Sequence, residues 1–466
     1  MMEGVWAFLF AMREELLLFS GFWIIVGGID DIAVDLTWAW RTGWRRLFRY
    51  RLTPPMRADQ LPEATQTGPL AIFIPAWQEA GVIGAMLRRC AEAWGGCTIA
   101  HRIYVGCYGN DSATIAAVVA AASRSRNIRL VLCDRPGPTT KADCLNRLWR
   151  ALTADELAGG FKAKAVILHD AEDEVHPLGL RVMGYLIERA AAVQLPVIPV
   201  QVTGSAWVSG HYCDEFAEAH VKTLVVREAL GASIPLAGVG CAIERNRLGR
   251  IAIAHDGQPF DAASLTEDYE LGLNIGSEGG KVIFAKLLDT DGQRVGTRAC
   301  FPDTFEAATR QKARWMTGIA LAGWDRLGWR GGFAEFWMRL RDRKALLAAI
   351  VLVAAYLCII LTLLLMLADV AGIHPTPASS DAVLTLLLLT AILLLWRTIV
   401  RFICVLSVQG WRQAWLSIPR NIVANVINIV AARRAAADYL RLLTGGKLHW
   451  DKTSHSHFPG KATHNV

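Results

Sequence analysis

Short apolar segments alternate with amphipathic stretches between residues 70 and 301. The apolar segments have the length of buried strands and cover residues 70–74, 100–106, 128–133, 165–168 and 197–202. The amphipathic stretches have helical spacing and cover residues 82–93, 112–124, 142–152 and 178–193. This alternation predicts an α/β domain in which a mostly parallel sheet is covered by helices on both faces.

The amino-terminal end carries an apolar segment outside this domain. Residues 5–29 are apolar except for a charged triplet at 13–15. Arg-rich sequence follows and a small-residue cleavage site is missing, so we expect a retained anchor rather than a removed signal peptide. Asp30 and Asp31 are expected at its far end or facing other helices. Residues 36–52 contain three Trp and five Arg, which favours a helix along the membrane surface.

The carboxyl-terminal third contains two further candidates for membrane spans. Residues 345–367 are almost uncharged and exceed the roughly 20 residues needed to cross a bilayer. A second span is predicted at 382–400. The loop at 369–381 contains no Lys or Arg, which places it away from the cytoplasm. Residues 418–443 are amphipathic, and here we favour an interfacial or reentrant helix over a fourth span.

These patterns divide the chain into six regions. They are an anchor with an interfacial helix (1–52), a proline-marked linker (53–69), a cytoplasmic catalytic domain (70–320), an interfacial helix (321–344), two spans with a short external loop (345–408), and amphipathic helices with a cytoplasmic tail (409–466).

Composition and charge narrow the class of protein. The chain has 466 residues, a 53% hydrophobic fraction and a net charge of +7, with a mean hydropathy of +0.30. The basic clusters flank apolar segments, which indicates contact with membrane lipids and excludes nucleic acid as the expected partner. Ten scattered cysteines without a Cys-x-x-Cys pair argue against a disulfide framework and a zinc site.

An acidic cluster follows the apolar run at 165–168. Asp170, Glu172, Asp173 and Glu174 lie within five residues, and carboxylates this close repel one another unless water or a cation neutralises them. The carboxyl end of a buried strand is where open α/β sheets bind ligands. A solvated acidic turn is the alternative interpretation, and the remaining motifs favour a metal–diphosphate site.

Two other predicted strands also end in polar turns. Glu79 follows the first strand and Asp111 the second, and adjacent turns of this kind would form a pocket for the hydroxyls and imide of a nucleoside. Lys141 begins a helix after a Pro-Gly-Pro loop, where backbone donors and an ammonium suit a diphosphate. Ordinary polar turns and a solvated helix-start lysine are the alternatives.

Thr266, Glu267 and Asp268 open another predicted helix. Thr266 can cap that helix and the two acidic residues suit its first turn, which is the structural interpretation. In the functional interpretation Asp268 is a general base held where an attacking hydroxyl loses its proton.

Gln311, Arg314 and Trp315 are spaced to share one face of a helix directly ahead of the membrane segments. Tryptophan offers a flat platform for a sugar ring, and arginine can bind phosphate oxygens through two hydrogen bonds. An Arg/Trp anchor at the membrane surface is the alternative.

These motifs, in this order and followed by membrane helices, resemble the processive glycosyltransferases of family two, which include cellulose, hyaluronan and poly-N-acetylglucosamine synthases. The tail from Trp450 to His455 and the Gly238-Val-Gly segment resemble a subgroup of bacterial inner-membrane transferases that make a secreted polysaccharide used as a phage receptor. The resemblance implies a GT-A-like, Rossmann-like catalytic domain combined with transmembrane helices.

The resemblance also implies roles for individual residues. Glu79 and Asp111 would bind uridine, Lys141 the diphosphate, and Asp268 would act as base. Asp170, with Glu172 or Asp173, would hold the nucleotide and Mg²⁺ or Mn²⁺. The acceptor and diphosphate would contact four further residues, namely Glu267, Gln311, Arg314 and Trp315.

Two departures from the family pattern affect these assignments. The usual Asp-Ala-Asp is Asp-Ala-Glu-Asp here, which leaves the second metal ligand open. The usual Asp-Asp-(Gly/Ser)-Ser is Gly-Asn-Asp-Ser, which weakens the assignment of Asp111 to uridine.

The expected activity is inverting, processive transfer from a UDP-sugar to a growing polysaccharide, coupled to export. The expected location is the bacterial inner membrane, with the catalytic domain in the cytoplasm and an export partner in the outer membrane. Transfer of one sugar to polyprenyl phosphate is the alternative enzyme, and a noncatalytic transporter or scaffold is the alternative of another class. The donor sugar and the linkage stay open.

Overall fold

A computed structural model describes residues 2–446 and 458–459, so the tail motif at 450–455 lies outside the described residues. The strands are β1 (Leu70–Pro75), β2 (His101–Cys107), β3 (Ile128–Leu132), β4 (Ala165–Leu168), β5 (Ala192–Gln194), β6 (Val197–Val200), β7 (Cys241–Glu244), β8 (Val282–Phe284) and β9 (Thr297–Cys300).

The helices outnumber the strands. They are α1 (Met2–Trp44), α2 (Tyr50–Leu52), α3 (Ile83–Trp94), α4 (Ser112–Ala122), α5 (Lys141–Gly159), α6 (Gly179–Leu186), α7 (Val208–Glu218), α8 (Leu224–Ala229), α9 (Arg245–Ala254), α10 (Glu267–Ser277), α11 (Phe305–Met316), α12 (Gly323–Leu327), α13 (Phe333–Arg343), α14 (Ala345–Val370), α15 (Asp381–Gln409) and α16 (Trp411–Leu443). Short 3₁₀ turns cover Ala58–Gln60 and Ile187–Arg189, and π-helical segments cover Arg45–Arg49, Ala219–Thr223 and Thr317–Ala322.

Seven strands form the central sheet in the order β3-β2-β1-β4-β7-β5-β8. All neighbours are parallel except β7, which runs antiparallel to both β4 and β5. The prediction of a mostly parallel sheet is confirmed. The prediction of a helix over 178–193 is wrong in its second half, because α6 ends at Leu186 and the chain then forms β5. The strand at 197–202 is shorter than predicted and pairs with β9 in a separate two-stranded sheet.

Alternate residues of β1 face the two hydrophobic cores. Leu70, Ile72 and Ile74 belong to the core under α3 and α6, whereas Ala71 and Phe73 belong to the core under α5 and α9. Successive strand side chains point to opposite faces, so burial of all five requires helices on both sides of the sheet. The helices cover the two faces of the sheet and leave the carboxyl ends of β1, β2 and β4 uncovered. We call this end of the sheet the open edge.

Three described helices are long and apolar enough to cross a membrane, namely α14, α15 and the helix over Glu3–Leu52. Asp30 and Asp31 of α1 face other helices, as expected. Arg341 binds both carboxylates, Lys344 Nζ lies 2.6 Å from Asp30 Oδ2, and Arg397 lies 3.2 Å from Asp31 Oδ2. These contacts tie α1 to α13, to the start of α14 and to α15.

Helix α7 connects the α/β domain to the membrane helices through its acidic face. Each of its three carboxylates binds a cation from another element: Asp214 with Arg420 of α16 at 3.0 Å, Glu215 with Lys312 of α11 at 2.6 Å, and Glu218 with Lys222 at 2.9 Å and Arg401 of α15 at 3.5 Å. Lys222 also binds Asp35 of α1 at 2.8 Å. One helix thus holds α1, α11, α15 and α16 together.

Removing the Glu215 carboxylate should destabilise the fold. Lys312 is only 5% exposed, and Glu215→Ala would leave its ammonium buried with Asn428 Oδ1, 3.0 Å away, as its remaining partner. We expect a loss of about 3 kcal/mol, measured by thermal unfolding of the detergent-solubilised protein. Glu306→Ala, which breaks an exposed pair with Arg310, should cost less than about 1 kcal/mol. Equal losses in the two variants would contradict this account.

Candidate active site

Lys141 lies at the centre of the open edge, at the first position of α5. Thr140 caps the helix by accepting a hydrogen bond from the Asp143 amide at 3.2 Å. Lys141 Nζ lies 2.6 Å from Asp170 Oδ1 and 3.5 Å from the Gly238 carbonyl oxygen. Burial pulls the pKa of Lys141 down, but the carboxylates of Asp170, Glu267 and Asp268 raise it above its ordinary value. The ammonium is therefore a fixed positive charge among three carboxylates.

Asp173 stabilises the acidic turn that follows β4 through hydrogen bonds of its own side chain. Its Oδ2 atom accepts a hydrogen bond from the Asp170 amide at 3.0 Å and lies 2.9 Å from His169 Nδ1. Asp173 is 1% exposed, and burial raises its pKa despite the opposing effect of His169. The side chain thus fixes the backbone of Asp170.

Of the three candidate metal ligands, Asp170 is the one in contact with Lys141. Its side chain is one third exposed, whereas Glu172 is buried and close enough to Cys300 to raise the pKa of that thiol, after burial itself. The described residues contain no group of three or more metal-binding side chains. Mg²⁺ in nucleotide sites is bound through one or two carboxylates, with phosphate and water as the other ligands, so the exposed Asp170 carboxylate fits such an ion.

Asp268 is held against the backbone of Gly238. A Cβ atom on Gly238 would lie 2.5 Å from Asp268 Oδ2, and the residue has a φ of +70°, so the close approach depends on glycine. The Tyr269 amide donates to Asp268 Oδ1 at 2.8 Å. Burial raises the pKa of Asp268, and Lys141 opposes this rise. Asp268 and Asp170 therefore face the same ammonium from α10 and from the end of β4.

Glu267 shares this electrostatic environment. Burial and the neighbouring Asp268 raise its pKa to about 7, while Lys141 and Arg314 act in the opposite direction. The structure thus brings the acidic pair that begins α10 together with Lys141 and with the cationic residue of α11.

The expected cap on α10 is wrong in its atomic detail. Thr266 occupies the N-cap position without making a side-chain capping hydrogen bond, and its buried Oγ1 has no hydrogen-bond partner among the described residues. Ser264 Oγ instead accepts from the Thr266 amide at 3.1 Å. A Cβ on Gly318 would lie 2.6 Å from Thr266 Cγ2, so Thr266 packs the start of α10 against the π-helical segment Thr317–Ala322.

Helix α11 carries the Gln-x-x-Arg-Trp motif and continues into that π-helical segment. Gln311 Oε1 is buried and accepts no hydrogen bond from any described residue. Trp315 packs edge-on against Tyr212 and Phe301, with ring centroids 6.1 and 6.3 Å away. Arg314 is near enough to Glu267 to lower the pKa of that carboxyl. The motif therefore borders the Lys141 site through Arg314, and the π-helical segment Thr317–Ala322 follows it directly.

Glu79 and Asp111 meet at the ends of β1 and β2. Asp111 caps α4 by accepting from the Thr114 amide at 3.3 Å, and its other oxygen accepts from the Gln78 amide at 2.6 Å. The Glu79 amide donates to Thr114 Oγ1 at 3.0 Å. The two turns are thus hydrogen-bonded to each other through Asp111 and Thr114, and Asp111 holds the turn that carries Glu79. The assignment of Glu79 and Asp111 to uridine stays a prediction.

Sequence reasoning missed three residues that shape the site. Gln194 is buried and donates to the Leu195 and Val239 carbonyl oxygens at 2.8 and 2.9 Å, while its own oxygen accepts from the Ala237 amide at 2.8 Å. Tyr108 Oη lies 2.7 Å from Thr139 Oγ1, and Asn110 exchanges two hydrogen bonds with Gly137. A lone glutamine within an apolar run was a usable signal for the first.

This sheet order, with polar turns at the carboxyl ends of β1, β2 and β4, defines a GT-A-like fold. A mannosyltransferase from Pyrobaculum calidifontis, solved in complex with GDP-Man and Mn²⁺, shares it, with a TM-score of 0.50 and 16% identity over 88% of this chain and 99% of that chain.

Residues 68–318, more than half of the chain, match the family described as "Glycosyltransferase like family 2". The chain belongs to this family and is a glycosyltransferase. It is 36% identical over 459 residues to Bacteriophage adsorption protein B of Escherichia coli K12 and to Bacteriophage N4 adsorption protein B of Escherichia coli O157:H7. These matches cover 94% of this chain and 61% of each curated relative.

The raised pKa of Glu267 predicts how stability changes with pH. The carboxyl has a pKa of about 7 when folded and 4.5 ordinarily, so its stabilising contribution is complete below pH 4.5 and is lost as the pH rises through about 7. Glu267→Gln should remove this loss, which is of order 2 kcal/mol after allowance for partial exposure. Thermal unfolding of both proteins across this range measures it, and parallel profiles would contradict the assignment.

Proposed function

We propose that the protein transfers a sugar from a UDP-sugar to a growing polysaccharide with inversion at the anomeric carbon. The observation that supports this proposal most strongly is that Asp170, Asp268 and Lys141 lie together. Arg314 lies at the border of this group. A diphosphate site needs fixed positive charge, and an attacking hydroxyl needs a nearby base. Here both requirements are met within one set of contacts.

In this proposal the two ends of the donor lie at different turns. The uridine binds beside Glu79, in the turn that Asp111 holds against α4. The diphosphate lies over the start of α5, where Lys141 turns from Asp170 toward the phosphate oxygens. Arg314 approaches from α11 and adds a second cation. Negative charge that develops on the leaving UDP is thereby stabilised by two cations.

Asp170 is the residue that would hold Mg²⁺ or Mn²⁺ beside the diphosphate, and Asp173 fixes the Asp170 backbone. The cation would supply charge neutralisation on the diphosphate. The likeness to a structure solved with GDP-Man and Mn²⁺ supports this assignment.

Asp268 takes the proton from the acceptor hydroxyl at its carboxylate. Burial raises its pKa above that of an ordinary aspartate, which makes it a stronger base. Gly238 leaves the carboxylate room to face the acceptor. Trp315 offers a ring for the terminal sugar, and Gln311 Oε1 offers a buried acceptor for a sugar hydroxyl. Glu267 lies next to Asp268 in the chain and near Arg314.

The position of this site beside the long apolar helices supports processive synthesis coupled to export as part of the proposal. The acceptor end would lie at α11, which α7 ties to α15 and α16, and the polymer would leave along these helices from the cytoplasmic side of the inner membrane. The names of the two relatives, which refer to bacteriophage adsorption, support a product at the cell surface and a partner in the outer membrane. Transfer to polyprenyl phosphate is the second candidate, favoured by the small number of spans.

Asp268→Asn should abolish transfer and leave UDP binding intact. The amide cannot accept the acceptor proton but occupies the same space, so we expect the rate to fall at least about 100-fold. Activity of purified membranes with a labelled donor and UDP titration calorimetry measure the two effects. Glu278→Gln, an exposed change at the end of the same helix, is the matched control. Retained turnover in Asp268→Asn would refute the assignment.

A panel of labelled UDP-sugars offered to membranes carrying the protein tests the product class. The first proposal predicts label in a polymer that grows with time. Label in a chloroform-extractable monosaccharide would establish the polyprenyl alternative instead. Incorporation by membranes that lack the protein identifies a contaminating activity, and an absence of incorporation with every donor contradicts both candidates.

A further inference from the structure

Two cysteines face each other beneath the loop that leads to Lys141. Cys133 directly follows β3, and Cys144 lies in the first turn of α5. Both are free, and their Sγ atoms are 3.7 Å apart. A disulfide requires about 2.05 Å between sulfurs, so the thiols are in contact and need a shift of less than 2 Å to bond.

The two thiols differ in accessibility. Cys133 lines a cavity of about 430 Å³ together with Thr139, Asp143 and Arg147. Cys144 is 1% exposed, and a Cβ on Gly106 would lie 2.4 Å from its sulfur, so it is packed against the backbone of β2. A small reagent in the cavity reaches Cys133 first.

The two thiols also differ in pKa, and this difference again favours reaction at Cys133. The hydrogen bond with Cys144 lowers the pKa of Cys133 against the effect of burial, and Arg147 contributes in the same direction. The contact with Cys133, together with burial, raises the pKa of Cys144. Because the thiolate is the reactive form, Cys133 is the better nucleophile of the two.

We propose that Cys133 and Cys144 form a reversible disulfide when the protein meets a small disulfide such as oxidised glutathione. The Cys133 thiolate attacks one sulfur of the reagent, whose S–S bond breaks and releases one glutathione. The Cys144 sulfur then attacks Cys133 in the mixed disulfide and releases the second. Two cysteine thiols are oxidised, one glutathione disulfide is reduced, and the two thiol protons end on the two glutathione molecules.

The bond would act on the nucleotide site through residues 134–140, which it encloses. This loop carries Gly137 and Thr139, whose hydrogen bonds with Asn110 and Tyr108 connect it to the end of β2. Drawing the sulfurs together shifts the first turn of α5, where Lys141 makes its 2.6 Å contact with Asp170. This second step rests on the proposed function, whereas bond formation does not.

The test uses the full-length protein in detergent, as wild type and as the Cys133→Ser, Cys144→Ser and Cys97→Ser variants. Cys97 is a partly buried free thiol beside the amino ends of the strands and serves as the control. Each protein is incubated with oxidised glutathione, digested without reduction and mapped by mass spectrometry. UDP affinity is measured by calorimetry before oxidation, after oxidation and after dithiothreitol.

Wild type and Cys97→Ser should give the peptide pair that joins Cys133 to Cys144, while Cys144→Ser should stop at a glutathione adduct on Cys133. UDP affinity should fall by about tenfold on oxidation, the loss expected when one charged hydrogen bond to a phosphate is broken, and should recover on reduction. A wild type without the joined peptides overturns the proposal.

The remaining outcomes separate the two steps. Joined peptides with unchanged UDP affinity overturn the link to the nucleotide site. Joined peptides in a protein that fails to bind UDP even when reduced leave the disulfide established and refute the proposed donor instead.

Discussion

The candidate active site depends on the attraction between the Lys141 ammonium and the carboxylates around it. Asp170, Glu267 and Asp268 come from the end of β4 and the start of α10, and the ammonium among them offsets the mutual repulsion of their carboxylates. Each element that supplies a carboxylate is in turn fixed by packing. Gly272 of α10 leaves no room for a Cβ against the backbone of Leu236, and Asp173 holds the turn of Asp170. Electrostatic attraction and steric contact thus select the same arrangement.

A second constraint lies in the acidic face of α7. Its carboxylates bind cations from three elements that are distant in sequence, and one of these is the helix with Gln311, Arg314 and Trp315. The α/β domain and the long apolar helices are therefore joined by a set of largely buried ion pairs rather than by a flexible joint. Breaking such a pair leaves a buried charge without its partner, so relative movement of the two regions costs free energy. The helix with Gln311, Arg314 and Trp315 accordingly has a fixed position relative to α15 and α16.

The sequence could predict features that depend on local pattern, and it failed where partners are distant. The strands at β1 and β4, the helix that starts at Lys141 and the long apolar helices all follow from periodicity within a window. The antiparallel strand β7 has four residues and no distinctive pattern, because it is specified by its neighbours on both sides. Within the acidic cluster, the sequence could not separate Glu172 from Asp173, because the choice depends on His169 and on the direction of one turn. Gln194 acts through three backbone groups that no motif marks.

The pairing of α1 with later helices has a consequence for biosynthesis. Asp31 binds Arg341, 310 residues further along, and Arg397, 366 residues further along. At about 5–20 residues per second, a ribosome needs roughly 15 to 60 s to synthesise the first of these partners. The first membrane helix is thus inserted with its carboxylates still lacking their cations. The ion pairs of α1 are complete only when α15 has left the ribosome, so insertion of α1 and completion of these pairs are separated in time.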